Sequence, residues 1–239
     1  MTMIRILLPA LLAAVLLAPG CASDSSASDP GPGNWLQKLL PEGRGAVTKR
    51  LFSDDPDRRR EAIRKLADDE DGRTDEYLKI YALLLGKDSD PGVRAEAASA
   101  IGRSANDAYA QELADALNQD ESDRVRLAAA VALDRVHGAA AIEPLQLHAT
   151  RDRSIDVRAA SAQALRHYYR HEVIETLVQC LHDDEFTVRY EARQALMHLT
   201  GREAGYQPEQ WSDLLDGPLP PRQTPTERDR WWNPLDWVS

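Results

Sequence analysis

The sequence has little of what catalysis, disulfide scaffolds or nucleic-acid binding usually require. Its 239 residues include two cysteines, and only 6% are aromatic. The formal net charge is -10, which argues against a general nucleic-acid binder because such proteins normally carry a basic face. The sequence contains no Gly-rich phosphate loop and no nucleophile-elbow motif. These absences leave a helical, acidic protein, since few aromatic residues and abundant alanine favour closely packed helices over a sheet.

Long hydrophobic runs are also scarce, and the one at the N-terminus is too short for a comfortable membrane span. ILLPALLAAVLLAP follows a single positive charge, Arg5, and is interrupted by Pro9. This combination is typical of a secretory signal peptide, which we place at residues 1–20.

The first cysteine, Cys21, follows that run directly. LLAPGC and the ASDSSASD after it resemble the lipobox of bacterial lipoproteins, although Ala18 stands where that family prefers leucine. The resemblance implies that Cys21 carries the lipid and that residues 21–34 form a flexible tether. It also implies delivery to the outer membrane, facing the periplasm, because Ala22 rather than aspartate follows the cysteine. Ordinary secretory cleavage near Ala22 is the alternative.

The most informative feature is a sequence motif that occurs four times. Its copies are DSDPGVRAEAASAIGR (88–103), DESDRVRLAAAVALDR (120–135), DRSIDVRAASAQALR (152–166) and DDEFTVRYEARQALM (183–197). The Val-Arg pairs of these copies lie 32, 32 and 31 residues apart, and an aspartate precedes each valine by five residues. A degenerate fifth copy precedes them, with Arg59, Ala62 and Leu66 in matching order. Such a period predicts a solenoid.

Each repeat unit is expected to hold two helices. Apolar residues at the valine (position V), V+4, V+7, V+8 and V+11 fall on one face of the second helix. Bulkier apolar residues precede it in segments such as EYLKIYALLL and EVIETLVQCL, where Cys180 is expected to be buried and inert. The recurrent aspartates and arginines are predicted to form a structural ladder of side-chain bonds along the turns. A solvated charged edge is the alternative.

The segment AIEPLQLHATRDRSIDVRAASAQAL resembles a HEAT repeat, in the short HEAT-like form also seen in phycobilisome lyases. The resemblance covers about 53–200. It implies an all-α, HEAT-like α-solenoid, a right-handed superhelix of about five helical pairs with terminal caps. It also implies that the second helices line the concave face and that this face binds proteins. The fold hosts many functions and does not assign one.

The two ends differ in composition from the repeats. Within the solenoid domain, placed at 35–216, segments 34–52 and 199–215 are expected to be its caps. Residues 217–239 form a Pro-rich spacer and an aromatic tail that carries Trp231, Trp232 and Trp237. These tryptophans are either a docking motif for a partner or a segment that folds back onto the solenoid.

One column of residues is a candidate partner surface. Position V+10 lies away from the core stripe, and its four occupants are Arg103, Arg135, His167 and His198. If the second helices line the concave face, this column would favour acidic or polar partner segments, with some pH sensitivity from the histidines. Alternatively, the four side chains only complement the C-terminal dipoles of their helices.

No catalytic, metal or cofactor site is expected. His167 and His171 straddle a predicted turn without an obvious third ligand, and the single His171-Glu172 pair is too little for the iron site of HEAT-like hydroxylases. The sequence therefore predicts a membrane-tethered, non-catalytic scaffold that binds an unknown protein in the bacterial cell envelope. The alternative is a HEAT-like lyase, or a subunit of one, that acts on a protein-bound cofactor.

Overall fold

A computed structural model describes residues 45–215 and Leu219, and every regular element in this part of the chain is a helix. Ten α-helices follow one another: α1 (Gly45–Arg50), α2 (Pro56–Asp68), α3 (Asp75–Lys87), α4 (Pro91–Ser104), α5 (Ala110–Gln119), α6 (Asp123–Leu133), α7 (Ile142–Arg151), α8 (Ile155–Ala164), α9 (His171–Cys180) and α10 (Phe186–Thr200). None of the helices in 45–215 is long and apolar enough to cross a membrane.

These helices form five antiparallel pairs, which confirms the predicted all-α solenoid. Short 3-10 helices complete the connections and the C-terminal end: Glu70–Arg73, Asp107–Tyr109, Ala139–Ala141, Leu165–His167 and Pro208–Leu214. Four second helices, α4, α6, α8 and α10, begin shortly before their Val-Arg pairs, as the repeat predicted. Each pair packs mainly on the pairs before and after it, as in other repeat proteins.

The second helices α2, α4, α6, α8 and α10 form one layer, and small residues set their spacing. The α4–α6 contact shows the reason, because a Cβ added at Gly102 would lie 2.8 Å from the Cβ of Ala132. Val93, Val125, Val157 and Val188, the repeat valines, are fully buried in the core. The close approach therefore depends on alanine and glycine at the helix faces that meet.

Cys180 is buried in α9, as expected. Its Sγ lies 3.5 Å from the carbonyl oxygen of Ala149, and burial raises the pKa of the thiol to about 12. At neutral pH this cysteine is a protonated core residue, which agrees with an inert thiol.

Each repeat aspartate organises one turn, as Asp152 illustrates. Its backbone N–H donates to the carbonyl oxygen of His148 and closes α7, and its Oδ1 accepts the N–H of Ser154 at 2.8 Å, just before α8. Both carboxylate oxygens also accept hydrogen bonds from Arg126 of the preceding unit, at 2.8 and 2.9 Å. One side chain thus fixes the end of one helix, the start of the next and the neighbouring pair.

The same connection recurs along the solenoid and confirms the predicted ladder. Its four rungs are Arg59–Asp88, Arg94–Asp120, Arg126–Asp152 and Arg158–Asp183, all with two N–H···O bonds of 2.7–3.1 Å. The remaining terminal nitrogen of each arginine donates to one or two carbonyl oxygens of its own turn. Each guanidinium therefore holds its own turn and the aspartate of the following unit.

These rungs differ energetically from surface ion pairs. Arg126 and Asp152 are 6% and 7% exposed. Burial opposes the ionised form of Asp152, but hydrogen bonds from Arg126, the Ser154 N–H and His148 outweigh it and lower its pKa to about 2. Removing one partner of such a buried pair costs about 3–5 kcal/mol, against less than about 1 kcal/mol for an exposed pair.

The C-terminal end is capped much as the sequence predicted. Gly201 ends α10 with a positive φ of 65°, a conformation that glycine adopts without strain. Pro208–Leu214 then brings Trp211 into full burial, with its Nε1 donating to the carbonyl oxygen of Gly205 at 3.1 Å. The first part of the predicted N-terminal cap, 34–44, lies outside the described residues.

The ladder predicts a specific acid sensitivity. The depressed pKa of Asp152 contributes stability that is present above about pH 4 and is lost as pH falls through the folded pKa near 2. The pKa values of Asp120 and Asp183 are also lowered, because arginine and backbone hydrogen bonds outweigh burial. We expect the free energy of unfolding, measured by urea titration, to fall by about 2 kcal/mol from Asp152 alone between pH 5 and pH 2.

The matched test is Asp152→Asn against Asp156→Asn, since Asp156 is exposed on the next helix. Asp152→Asn should be less stable than wild type by about 3 kcal/mol at pH 7, and the difference should shrink toward pH 2. Asp156→Asn should follow the wild-type curve. Equal effects of the two substitutions at all pH values would contradict the ladder.

Candidate partner surface

The second helices form the more closely packed layer of the stack. Successive second helices contact one another more extensively than successive first helices do. In a curved stack the more closely packed layer is the inner one, so we call the exposed side of this layer the inner face. Positions V+3, V+6 and V+10 face away from the core stripe and line this inner face.

At the N-terminal end of the inner face, Arg103 lies in a charge-balanced network. Its guanidinium is 3.2 Å from Glu96 and 3.9 Å from Asp68, and Arg64 donates to the other Glu96 oxygen at 2.9 Å. Burial opposes the ionised form of Glu96, but the bonds from Arg64 and Arg103 outweigh it and lower its pKa. Arg103 is therefore already neutralised by its own protein.

The centre of the inner face combines a cation with an apolar side chain. Arg135 is exposed just beyond α6, and no carboxylate of the described residues lies within 4 Å of its guanidinium. Val131, one helical turn earlier, is 50% exposed. The side-chain amides of Gln163 and Gln194, at the same repeat position as Val131, are half-buried. This part of the face offers a free positive charge, an apolar contact and amide hydrogen-bonding groups.

Toward the C-terminal end, three imidazoles from three successive units form a row. The ring centroids of His137 and His167 are 4.1 Å apart, and those of His167 and His198 are 6.4 Å apart. Repeat position V+10 includes His167 and His198 but not His137, which lies two residues later in its unit. The three histidines lie 30 and 31 residues apart, close to the repeat period, and this spacing could have identified His137. We call His137, His167 and His198 the histidine row.

Carboxylates from neighbouring units flank the histidine row. Asp134 lies 3.0 Å from the Nε2 of His167 and accepts a 2.7 Å bond from Arg166. Burial raises the pKa of Glu191 on α10, with Arg166 acting against this rise and Asp134 adding to it. Among residues 45–215, no group of three or more His, Cys, Asp or Glu side chains has the arrangement of a metal site.

The remaining predicted site residues fall outside the described part of the chain. These are the proposed lipid attachment residue, Cys21, and the tail residues Trp231, Trp232 and Trp237. Their roles stay predictions. Within the described part, the inner face is a polar surface with one exposed aliphatic side chain, and its chemistry suits recognition of another macromolecule.

A family of known proteins matches this chain over most of its helical part. The family described as HEAT repeats matches residues 46–134 and 142–210, which is more than half of the chain. The chain belongs to the HEAT-repeat family. No curated protein matches it significantly.

Several solved structures have a similar fold. A chain from the complex of CpcE and CpcF of phycocyanin lyase from Nostoc sp. PCC7120 is 20% identical with a TM-score of 0.57, over 68% of this chain and 69% of that one. An engineered protein is 26% identical with a TM-score of 0.52, over 76% and 87%. The Escherichia coli protein YibA is 22% identical with a TM-score of 0.53, over 69% of this chain and 60% of its own.

The geometry predicts different outcomes for two charge reversals in the same column. Arg103→Glu places a third carboxylate beside Glu96 and Asp68, so we expect a loss of about 1–3 kcal/mol and a Tm lower by several degrees. Arg135→Glu should stay within about 0.5 kcal/mol of wild type, because Arg135 is exposed and unpaired within the described residues. Thermal unfolding measures both. Equal losses of stability would contradict the placement of these arginines.

Proposed function

We propose that this HEAT-repeat chain is a non-catalytic scaffold that binds another protein, held at the bacterial cell envelope by a lipid on Cys21. The observation that carries the proposal is the inner face, which combines the exposed Val131 and the unpaired Arg135 with the amides of Gln163 and Gln194. These two glutamines hold the repeat position of Val131 in the next two units. Surfaces that combine an exposed apolar contact with a free arginine are favourable for protein recognition.

The Arg–Asp ladder supports the proposed role as a scaffold. Each of the second helices α2, α4, α6 and α8 is joined to the next unit by a largely buried, two-bond Arg–Asp rung, such as Arg94–Asp120 and Arg126–Asp152. A rigid surface loses less conformational entropy on binding than a mobile one. Side chains from several units are thus presented to a partner in one fixed arrangement.

Structural likeness supports a protein partner at the level of fold. The similar chain in the CpcE and CpcF structure comes from a complex of two proteins. At 20% identity this likeness concerns the fold, so the partner of the present chain has to be found by experiment.

Membrane attachment rests on the N-terminal sequence. The apolar run of 1–20, Cys21 and the polar tether of 22–34 support export followed by lipidation. A single acyl chain anchors a protein weakly, so stable attachment needs the diacyl or triacyl form. In a bacterium with two membranes, Ala22 favours the outer one, with the solenoid in the periplasm.

A lyase subunit that acts on a protein-bound cofactor is the second candidate, favoured by the likeness to a phycocyanin lyase chain. The discriminating observation is the spectrum of the purified protein. Stoichiometric absorption beyond the aromatic band would favour the lyase, whereas a colourless protein that captures its partner through the inner face favours the scaffold.

The scaffold proposal predicts where a partner is contacted in the cell. A photo-crosslinking amino acid at Val131 should give a discrete crosslinked species in membrane fractions, because this side chain lies on the inner face. The same amino acid at Glu175, which is exposed on first helix α9, should not give that species. Arg135→Glu should weaken the Val131 crosslink, since it reverses an unpaired charge one helical turn away.

The anchor is tested in the same cells with Cys21→Ser. Wild type should carry acyl mass on Cys21 and sediment with membranes, and the variant should be recovered in the soluble fraction. Unmodified, soluble wild type would overturn the anchor while leaving the scaffold proposal standing. Equal crosslinking from Val131 and Glu175 would overturn the scaffold proposal while leaving the anchor standing.

A further inference from the structure

The Arg–Asp ladder has a fifth arginine. Arg189 on α10 occupies the position that Arg59, Arg94, Arg126 and Arg158 hold in their units. Its terminal nitrogen donates to the carbonyl oxygens of Asp183 and Asp184 at 2.6 and 2.7 Å, as the other arginines do in their own turns. The guanidinium is therefore anchored in the same way as those that bind a carboxylate.

The Nε and the second terminal nitrogen of Arg189 have no carboxylate partner within the described residues. In the four inner rungs, Nε and the second terminal nitrogen donate to the aspartate of the following unit. Within residues 45–215 no further helical pair follows α10, and no carboxylate of this part lies within 4 Å of Arg189. Two parallel donors, which elsewhere in this protein bind a carboxylate at 2.7–3.1 Å, are left without one.

Phe186 lies close to the Arg189 guanidinium and belongs to a small cluster of aromatic side chains. Phe186 is 58% exposed, and its ring lies 5.8 Å from the Arg189 guanidinium carbon and 6.1 Å from the ring of Tyr190. Tyr206, from the C-terminal cap, lies 5.7 Å from Phe186 and has the Arg193 guanidinium 5.3 Å above its ring. An exposed phenylalanine next to an arginine and two tyrosines is typical of a contact surface.

We propose that this terminal seat, formed by Arg189, Phe186 and Tyr190, binds an aspartate in a turn of a partner protein. The Arg189 fork receives the carboxylate, and the aromatic rings receive an apolar side chain next to it. We infer an aspartate because each of the four rungs of the ladder uses one. In each rung the aspartate also accepts the N–H of the residue two positions later. A planar guanidinium held in place suits this two-bond geometry, and a lysine would not.

This seat is separate from the inner face, so the two proposals can fail independently. It lies at the C-terminal end of the solenoid, on the turn and first residues of α10. A partner that used both surfaces would run along the inner face and continue over its end. A partner with an aspartate-containing turn could also extend the ladder by one rung.

The test uses the full chain labelled with ¹⁵N and the peptide Leu-His-Asp-Asp-Glu-Phe. This is the sequence of residues 181–186, whose Asp183 binds Arg158 in the fourth rung. Titration to about 10 mM peptide should shift the Nε–Hε resonance of Arg189 saturably and leave that of Arg126 unchanged. The matched peptide with asparagine in place of Asp183 should bind about tenfold more weakly.

Two variants separate binding from folding. Arg189→Lys keeps the charge but loses the fork, and it should weaken the peptide about tenfold. Phe186→Ala removes an exposed ring, so it should weaken binding severalfold without changing Tm. No saturable shift of Arg189, or equal binding of the aspartate and asparagine peptides, would overturn the proposal. Binding that appears only after residues 220–239 are removed would assign the seat to the chain's own tail and would also overturn it.

Discussion

The two-bond contact between the arginine of one unit and the aspartate of the next is the interaction on which the rest of the structure depends. Each pair of helices is too small to bury its apolar faces alone, so stability comes from stacking. Stacking of near-identical alanine-rich faces could slip or rotate. The buried rung prevents this, because its carboxylate also closes one helix and orients the next. Removing Asp152 would release three connections at once.

This constraint links the fold to the proposed function. The rungs lie along the turns, which leaves the inner face of the second helices free for other side chains. The face that results is uneven. Arg103 is neutralised by Glu96 and Asp68, Arg135 is unpaired within the described residues, and the histidine row joins three units near Asp134. Recognition is therefore expected to centre on Val131 and Arg135 rather than on a uniform positive column.

Much of this fold could be predicted from the sequence, because the repeat places one residue type at each structural role. The valine spacing of 32, 32 and 31 residues gave the units, and the aspartate and Val-Arg positions gave the ladder. The direction of the rungs could not be read in the same way. Arg126 could bond within its own turn or to the next unit, and only the stacking distance decides that it reaches Asp152. The repeat pattern of the sequence does not give the distance between stacked units.

The candidate site was less predictable for the same reason. Arg103 and Arg135 share a repeat position, yet only Arg103 is neutralised, by Glu96 of its own helix and by Asp68 of the preceding unit. In the unit of Arg135 the position of Glu96 is held by Ala128. His137 joins the histidine row only because α6 ends at Leu133 and the turn after it carries the imidazole back toward His167. Side-chain neighbours contributed by another unit, or by an irregular turn, are invisible to a helical repeat pattern.

The most direct test of the central claim is native-state hydrogen exchange on wild type and Arg126→Met. If the rung couples neighbouring units, amides of α6, α7 and α8, on both sides of the lost bond, should exchange about a hundredfold faster. Amides of α2, two units away, should keep their wild-type rates. Faster exchange confined to the turn around Arg126, or spread evenly over all ten helices, would contradict the claim that the ladder joins each pair to its neighbour.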